Sequence, residues 1–401
     1  MNHTTPLPIP VPPKRVMLAV VWDEPEHEIG IARYARKAGW IMSKVTPGME
    51  QRLRDWKPDG IICQLHPSAA PFVDAVRSLL VPTVDMSHFV PEMNVPRVRK
   101  DSYGIGRMAA AHFLDRGFSH FCYIGLLRET AWNMSYYHGY KDAVTAAGFS
   151  VQPLFLDDPT TARNAPQGLT DRVWMMDDTS TACQHWFGDI MSDMLKPVGV
   201  FAWNFNYCID LVEGCLKAGI LIPEQISVVT TGTRAIECEF ASVPLSCITP
   251  DYETQGFEAA AVLDRMMQGS PITPDTWFIS PKDLIVRESS DIYAVDHLDT
   301  ARVIRYVMRN LIRKGLSASD VMRETGVSQW KLYHVIPTHL GCPIAMYIEK
   351  ERLKLAGSLM RSTSRSLTDI AEQSGFTDLK HFRRTVKRLT GLPPREYRQQ
   401  L

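Results

Sequence analysis

The chain has 401 residues, with 44 basic and 44 acidic side chains and a formal net charge of zero at pH 7. This length allows more than one domain with a sizeable core, and a hydrophobic content of 45% excludes a mainly disordered chain. No segment reaches the ~18 consecutive apolar residues of a membrane helix, and the proline-rich residues 1–14 lack the apolar core of a signal peptide. We therefore expect a disordered tail over 1–14, no membrane partner and a cytoplasmic location.

Residues 15–290 alternate between continuous apolar segments and amphipathic segments. The apolar segments predict strands at 15–22, 59–65, 82–87, 120–126, 198–203 and 226–231. The amphipathic segments predict helices at 28–39, 71–80, 103–116, 136–147, 207–218 and 252–268. Continuous apolar strands that alternate with helices are typical of parallel sheets covered on both faces. We therefore expect one or two α/β lobes in this part of the chain.

The sequence contains no recognisable catalytic constellation. The phosphate-binding pattern G-x-x-x-x-G-K-[ST], the zinc pattern H-E-x-x-H and the nucleophile pattern G-x-S-x-G are all absent. The eight cysteines form no C-x-x-C pair, which favours buried reduced thiols over metal ligands or disulfides. The prediction is a protein that is not an enzyme, with no catalytic residue, no metal site and no cofactor.

The last ~85 residues contain the same helical pattern twice, and what repeats is apolar residues and glycines. The repeated positions are Val321, Gly326, Leu332, Gly341 and Tyr347 in the first copy, and Ile370, Gly375, Phe382, Gly391 and Tyr397 in the second. Each copy has the spacing of a helix, a turn with a glycine at positive φ, and a second helix. A purely structural helical hairpin is the alternative, but two copies in register favour a duplicated helix-turn-helix unit. Thr377 or Asp378 is expected to cap the second helix of the second copy.

The net charge of zero conceals a basic C-terminal part and an acidic remainder. Residues 298–401 contain 19 Lys and Arg against 9 Asp and Glu, which leaves 25 against 35 for residues 1–297. The predicted helix that begins at Leu379 carries Lys380, Arg383, Arg384, Lys387 and Arg388, with no acidic residue after Asp378 until the helix ends. Such a cluster is typical of a surface that binds DNA phosphates.

Residues 300–401 resemble the DNA-binding domain of the AraC/XylS family of transcription regulators. The resemblance lies in "SASDVMRETGVSQWKLYHV" (317–335) and "LTDIAEQSGFTDLKHFRRTVKRLTGLPPREYR" (367–398). It implies that the second helix of each unit enters the major groove of double-stranded DNA, with a connecting helix at about 344–360 between the units. The resemblance and the basic cluster together give these predicted DNA-binding residues: Ser328, Trp330, Lys331, Tyr333, His334, Leu379, Lys380, His381, Arg383, Arg384 and Lys387.

Pro337 departs from the family pattern, because it lies about nine residues into the first recognition helix. A proline there removes the hydrogen bond to the carbonyl of Tyr333 and is expected to kink or end the helix. The predicted contact residues precede Pro337, so DNA contact by this unit remains compatible with the sequence.

Residues 15–290 resemble the effector-binding core of the lac-repressor and periplasmic sugar-binding superfamily. The resemblance is carried by "VPRVRKDSYGIGRMAAAHFLDRGFSHFCYIG" (95–125) and "VFAWNFNYCIDLVEGCLKAGILIPEQISVV" (200–229), among other segments. It implies two α/β lobes with a ligand pocket between them. The residues implied to line this pocket are Trp22, Asp23, Ser87, His88, Trp132, Tyr136, Trp203, Asn204, Phe205, Thr233 and Arg234.

The pocket has the aromatic side chains of a sugar site but lacks some of the expected charges. Tyr136 replaces a frequent arginine of the family, and Phe205 and Gly232–Thr233 replace frequent aspartates. A sugar remains the expected ligand on family grounds, while each tryptophan has core packing as its alternative.

The order of the two domains resembles the architecture of xylose-operon regulators. It implies a two-lobed α/β effector domain followed by an all-α domain with two helix-turn-helix units. A linker is expected at 291–299. The implied protein is a ligand-responsive, sequence-specific transcription regulator of carbohydrate catabolic genes. Its expected partners are double-stranded DNA, a small-molecule effector that is a sugar or a related polar metabolite, a second copy in a homodimer, and RNA polymerase if it activates. The alternatives are a regulator with a non-sugar effector, or a ligand-binding module with no DNA role.

Overall fold

The computed structural model describes residues 12–400 except 23, 128–130, 168, 171–179, 233–234, 271, 274, 295–297 and 364. It confirms the predicted fold class, with two parallel α/β lobes followed by a helical region. Strands and helices are numbered below in chain order. Within the described residues, none of the helices is both apolar enough and long enough to cross a bilayer.

The first lobe contains a six-stranded sheet in which all strands are parallel. Its strands are β1 (Arg15–Val20), β2 (Ile41–Val45), β3 (Gly60–Gln64), β4 (Thr83–Asp85), β5 (Arg97–Lys100) and β11 (Thr276–Ile279), in the spatial order β11-β5-β4-β3-β1-β2. The helices are α1 (Pro25–Ala38), α2 (Glu50–Trp56), α3 (Ala70–Ser78) and α9 (Tyr252–Met267). Two hydrophobic clusters cover the sheet, one with side chains of α2 and α3 and the other with side chains of α1 and α9.

The second lobe repeats this architecture. Its strands are β6 (His120–Gly125), β7 (Val151–Phe155), β8 (Val198–Ala202), β9 (Ile226–Thr231), β10 (Ser246–Ile248) and β12 (Leu284–Ile285), in the order β12-β10-β9-β8-β6-β7. The helices are α4 (Ser102–Leu114), α5 (Ala131–Ala146), α6 (Thr181–Ser192), α7 (Phe205–Lys217) and α8 (Ala235–Phe240). Only the β10–β12 pair is antiparallel among the described strands.

The chain passes between the lobes three times, after β5, after β10 and after β11. The three crossings are hydrogen-bonded to each other: the Asp101 amide donates to the Ile279 carbonyl (2.9 Å) and the Thr249 amide to the Asp283 carbonyl (3.2 Å). The two lobes are therefore joined by three short segments that are hydrogen-bonded to one another.

The C-terminal region is all helical and contains two separate cores. Its helices are α10 (Leu298–Arg309), α11 (Ala318–Thr325), α12 (Ile336–Leu340), α13 (Ile344–Ser362), α14 (Leu367–Gln373), α15 (Leu379–Thr390) and α16 (Pro394–Gln400). The first core includes Val321 and Leu332, and the second includes Ile370 and Phe382. Helix α10 begins at Leu298, within the predicted linker 291–299.

The turns of the two units have the geometry that the glycines predict. Gly326 has φ of 69° and Gly375 has φ of 77°. The side chain of Asp378 accepts a hydrogen bond from the His381 amide at 2.7 Å, so Asp378 rather than Thr377 caps α15. Ser317 caps α11 through a reciprocal capping box with Asp320.

Of the two outcomes predicted for Pro337, a kink or an end of the first recognition helix, the end is not observed. The helical segment continues from Gln329 to Leu340, but the turn Lys331–Val335 immediately before Pro337 is π-helical. The Ile336 amide donates to the Lys331 carbonyl, one residue further back than in an α-helix. The wider turn gives the proline ring room that a regular α-helix would deny it, and Pro337 then occupies the first turn of α12, where proline is tolerated.

Candidate functional site

A cavity of about 180 Å³ lies between the two lobes. Its wall comes from the ends of strands in both sheets and from the first turns of α1, α4 and α9, the position at which α/β folds bind ligands. The lining residues are Trp22, Glu24, His27, Gln64, Met86, Ser87, His88, Phe89, Arg99, Lys100, Ser102, Trp203, Asn204, Tyr252 and Gln255.

Five of the residues predicted to bind ligand line this cavity: Trp22, Ser87, His88, Trp203 and Asn204. Tyr136 lies behind them, with its ring stacked on Trp203 at a centroid distance of 6.3 Å. Phe205 is not among the lining residues, because the first turn of α7 directs it against the core of the second lobe.

Four of the predicted ligand-binding positions cannot be placed in the cavity wall. Asp23, Thr233 and Arg234 lie outside the described residues. Trp132 belongs to α5, but its side chain is outside the described part.

The aromatic side chains of the cavity form two groups. Trp22 contacts Phe89 edge-on, with ring centroids 5.5 Å apart, on the first-lobe side. Trp203 contributes a ring from the second lobe, and Tyr252 contributes one from the first turn of α9 in the first lobe. Flat rings of this kind can pack against the C–H faces of a small polar ligand, in a cavity smaller than the ~300–1,000 Å³ of drug-sized sites.

His27 is held in a defined tautomer by its neighbour. The Gln255 side-chain nitrogen donates to the carbonyls of Met86 (2.9 Å) and Val98 (2.8 Å), so its oxygen faces His27 Nε2 at 3.0 Å. That nitrogen must carry the proton, because an amide oxygen only accepts. Burial lowers the pKa of His27 to about 4, and Nδ1 is left as an acceptor with no partner in the described part of the chain.

Two basic side chains at the end of β5 also line the cavity, and the sequence prediction missed both. The Lys100 ammonium donates to the Tyr252 hydroxyl at 3.2 Å. The Arg99 guanidinium lies over the ring of Phe278 at 5.6 Å and forms no hydrogen bond or ion pair with the described residues. The polar sequence R-V-R-K was not recognised as a strand, although it forms an interior strand of the sheet and lies inside a segment that carries the family resemblance.

Ser87 and Asp85 stabilise the wall rather than presenting free polar groups. The Ser87 hydroxyl donates to the Asp85 carboxylate at 2.8 Å. That carboxylate lies 3.4 Å from the guanidinium of Arg97, which also donates to three backbone carbonyls. The arrangement fixes the loop that carries His88 and Phe89.

The second helix-turn-helix unit presents a basic surface. Along α15, Phe382, Thr385 and Val386 are buried against the unit's core. Five basic side chains are exposed along the rest of the helix: Lys380, Arg383, Arg384, Lys387 and Arg388. Leu379, another predicted DNA contact, is partly buried against the core of the second unit.

Glu349 of α13 lies beside this basic surface. Its carboxylate accepts from His381 Nε2 (3.3 Å) and from the Thr385 hydroxyl (3.4 Å), and it pairs with Arg388. His381, another predicted DNA contact, is therefore partly occupied by an internal partner.

The first unit presents aromatic side chains instead of a basic cluster. Trp330 is 64% exposed and Tyr333 is 49% exposed, and the ring of His334 stacks on Trp330 at 5.7 Å. Lys331 forms an ion pair of 2.6 Å with Asp299 in the first turn of α10. Ser328 is exposed at the start of the helical segment.

Both parts of the chain match the sequence models of known domain families. A periplasmic binding protein-like domain matches residues 110–290, and a helix-turn-helix domain matches residues 321–400. The chain joins a periplasmic-binding-protein-like domain to an AraC-type helix-turn-helix domain. It is a DNA-binding transcription regulator with an effector domain, and it does not belong to an enzyme family.

Curated relatives have the same arrangement over most of their length. The xylose operon regulatory protein of Escherichia coli (strain K12) is 22% identical over 357 residues, covering 86% of this chain and 85% of that protein. The protein of the same name from Haemophilus influenzae is 20% identical, covering 85% and 84%.

Solved structures share the fold. The structure of the xylose-binding transcription activator xylR superposes with a TM-score of 0.58 at 19% identity, covering 96% of this chain and 98% of the other. The complex of the transcriptional regulator CelR with cellobiose gives a TM-score of 0.51 at 21% identity, covering 70% and 86%.

Proposed function

We propose that this protein is a cytoplasmic one-component regulator that senses a sugar or a related small polar metabolite and controls carbohydrate catabolic genes. The effector occupies the cavity between the lobes, and the two helix-turn-helix units read successive major grooves of one operator. A homodimer is the expected binding form, with RNA polymerase as a further partner if the protein activates. The domains assigned are 15–290 for the effector and 300–401 for DNA.

The exposed basic face of α15 is the observation that carries the DNA-binding part of this proposal. Lys380, Arg384 and Lys387 recur at the spacing of one helical face, and α15 itself contains no acidic residue. Arginine forms bidentate hydrogen bonds with guanine O6 and N7, whereas lysines at the flank suit phosphates. We assign Arg384 to base contact and Lys387 to phosphate contact.

The sugar part of the proposal is supported by the cavity and by the named ligands of similar proteins. Aromatic rings and hydrogen-bonding groups line a cavity of monosaccharide size. One similar structure is described as a xylose-binding activator and another as a cellobiose complex. These ligands belong to those proteins, and the cavity here contains a different set of charges from the one the family predicts.

Helix α10 is the element that we propose connects effector binding to DNA binding. Ala301 packs in the core of the second lobe, while Val303 and Val307 pack in the core of the first helix-turn-helix unit. Arg305 forms an ion pair of 2.7 Å with Glu224 of the second lobe, and both side chains are largely buried. A rotation of the second lobe would therefore displace α10 and the Asp299–Lys331 ion pair at its start.

Ligand control requires that the effector bind one arrangement of the lobes better than the other. A preference of about 100-fold corresponds to about 2.7 kcal/mol, which is enough to move a balanced equilibrium almost completely. Closure on a ligand that contacts both Trp22 in the first lobe and Trp203 in the second would provide such a preference.

An electrophoretic mobility shift with the full chain tests the proposal. DNA from the protein's own upstream region is titrated at low and at high salt, with and without a panel of pentoses, hexoses and sugar acids. We expect binding that weakens steeply with salt and an affinity that changes with one member of the panel. Failure to bind any upstream DNA at low salt would contradict the proposal.

A matched pair of variants provides the control for that experiment. Arg383→Gln and Arg107→Gln each remove one exposed positive charge, the first from α15 and the second from α4 in the effector domain. We expect only the first variant to lower the affinity and reduce the salt dependence.

A further inference from the structure

The charges of the cavity point to a ligand with a charge of its own. Among the described lining residues, Arg99 and Lys100 are cationic and Glu24 is the single carboxylate. The neighbouring Arg97 is already paired with Asp85, so these two groups offset each other. The lining therefore has an excess of positive charge.

Arg99 is the basic group that is most available to a ligand. Its guanidinium makes only a cation–π contact with Phe278 at 5.6 Å, and it has no hydrogen bond or ion pair within the described part. Arg99 is only partly buried, and a bidentate carboxylate is the partner that fits the geometry of its guanidinium. Burial and the nearby charges of Arg99 and Lys100 lower the pKa of His88 to about 2, as expected beside a cationic surface.

Other polar side chains of the lining suit hydroxyl groups. Gln64, Ser102 and Asn204 line the same cavity as Arg99 and carry uncharged groups that both donate and accept hydrogen bonds. The cavity therefore combines a site for an anion with neutral polar groups that can bind hydroxyls.

We propose that the effector is a sugar acid, a polyhydroxylated monocarboxylate of monosaccharide size, whose carboxylate binds Arg99 and whose hydroxyls bind the neutral polar side chains of the lining. This inference rests on the proposed function, because it assumes that the cavity holds the effector. A sugar phosphate shares the required chemistry of an anion with hydroxyls. The carboxylate is favoured because the lining offers an excess of a single positive charge in a cavity of about 180 Å³.

Isothermal titration calorimetry of the full chain with matched ligands tests the inference. The probes are D-xylose and D-xylonate, D-glucose and D-gluconate, D-galactose and D-galacturonate, and D-glucose 6-phosphate. We expect at least one acid to bind about tenfold or more tightly than its neutral counterpart, with a difference that shrinks at high salt.

Two substitutions at one position distinguish a charge effect from a structural effect. Arg99→Gln should bring the affinities for the acid and the neutral sugar to within about threefold of each other, whereas Arg99→Lys should keep most of the preference. Arg107→Gln, which removes an exposed charge of α4 outside the cavity, should leave the preference unchanged.

The outcomes separate this inference from the proposed function. Binding of a neutral sugar in preference to every acid would overturn the sugar-acid ligand and leave the sugar-responsive regulator standing. Tight binding of the phosphate without binding of any acid would overturn the carboxylate assignment. A preference for acids that survives in Arg99→Gln would also overturn it, and no binding of any probe would overturn both the ligand class and the sugar part of the proposed function.

Discussion

The two helix-turn-helix units share a backbone plan but present different chemistry to solvent. The second unit exposes a basic face on α15 and is held in place by Arg352, which donates from α13 to the carbonyls of Leu311 (2.9 Å) and Arg313 (2.7 Å). The first unit exposes Trp330 immediately before a π-helical turn and Tyr333 within it. The duplication therefore preserved the packing positions while the exposed positions diverged.

We infer that the two units have different roles in one proposed mechanism. The second unit can supply most of the electrostatic affinity for DNA. The first unit is connected to the effector domain through α10, because Val303 and Val307 of this helix pack in the core of the first unit and its Arg305 pairs with Glu224 of the second lobe. We infer that the second unit anchors the protein, while the position of the first unit responds to the effector.

The largest expected effect concerns the two glycine turns. A Cβ on Gly375 would lie 2.3 Å from the Leu311 carbonyl oxygen, whereas a Cβ on Gly326 would meet nothing within 4 Å. Both glycines have positive φ, so each alanine variant is strained by about 1–2 kcal/mol. Gly375→Ala adds a steric clash of about 1–3 kcal/mol.

Hydrogen exchange of the α14 and α15 amides in the full chain would measure this difference. We expect Gly375→Ala to lower the opening free energy of the second unit by about 2–5 kcal/mol. Gly326→Ala should lower the opening free energy of the first unit only by the backbone strain of about 1–2 kcal/mol. Equal losses in the two variants would show that the close approach at Gly375 is not a constraint.

Base reading by the second unit gives the next effect. Arg384→Ala should relax sequence preference by about 1–3 kcal/mol at one base pair, whereas Lys387→Ala should weaken all sequences alike. Both side chains are exposed on α15, so neither variant should lose more than about 0.5 kcal/mol of stability. Sequence selection from a randomised operator measures the preference, and an unchanged preferred base in Arg384→Ala would count against that assignment.

Trp330→Ala tests the first unit with a smaller effect. Trp330 is exposed, so its removal should leave folding intact while weakening contact with a thymine methyl group or a deoxyribose of the DNA. The loss should stay below the ~1–3 kcal/mol of a bidentate base contact. Gln329→Ala, at the neighbouring exposed position, is the control in the same binding assay. An equal effect of both variants would remove Trp330 from the predicted contacts.

The smallest effect is expected for Glu349 and Asp299, the two acidic residues that form ion pairs with basic side chains of the predicted DNA-binding helices. Glu349→Gln should tighten DNA binding by no more than about 1 kcal/mol, because it releases His381 and Arg388. Asp299→Asn should release Lys331 and reduce the difference in affinity between the effector-free and effector-bound protein. Glu372→Gln removes an acid of α14 that pairs with Lys314 and should leave DNA binding unchanged. Weaker DNA binding by the Glu349→Gln variant would contradict the idea that Glu349 competes with DNA for His381 and Arg388.

The sequence predicted the parts of the fold that have a local signature. Continuous apolar segments such as 226–231 identified buried strands, and the repeated glycines identified both turns. Strand β5 was missed because three of its four residues are basic, and with it Arg99 and Lys100 were missed as cavity residues. Their burial depends on sheet neighbours that are distant in sequence, which a local pattern does not contain.

The same limit applies to the candidate site as a whole. Trp22 and Trp203 could be predicted because they follow strand-like segments directly. The roles of His27 and Gln255 depend on a hydrogen bond between residues 228 positions apart. The Asp299–Lys331 ion pair likewise depends on how two helices pack.

The central claim is that the two helix-turn-helix units, which differ in their exposed side chains, bind successive major grooves under control of the effector domain. Sequence selection with the full chain, repeated for Arg384→Ala and Trp330→Ala, tests it most directly. The account predicts that each variant relaxes a different base position and that the two positions lie about 10 base pairs apart, one turn of DNA. Relaxation at the same position in both variants, or at no position in either, would contradict it.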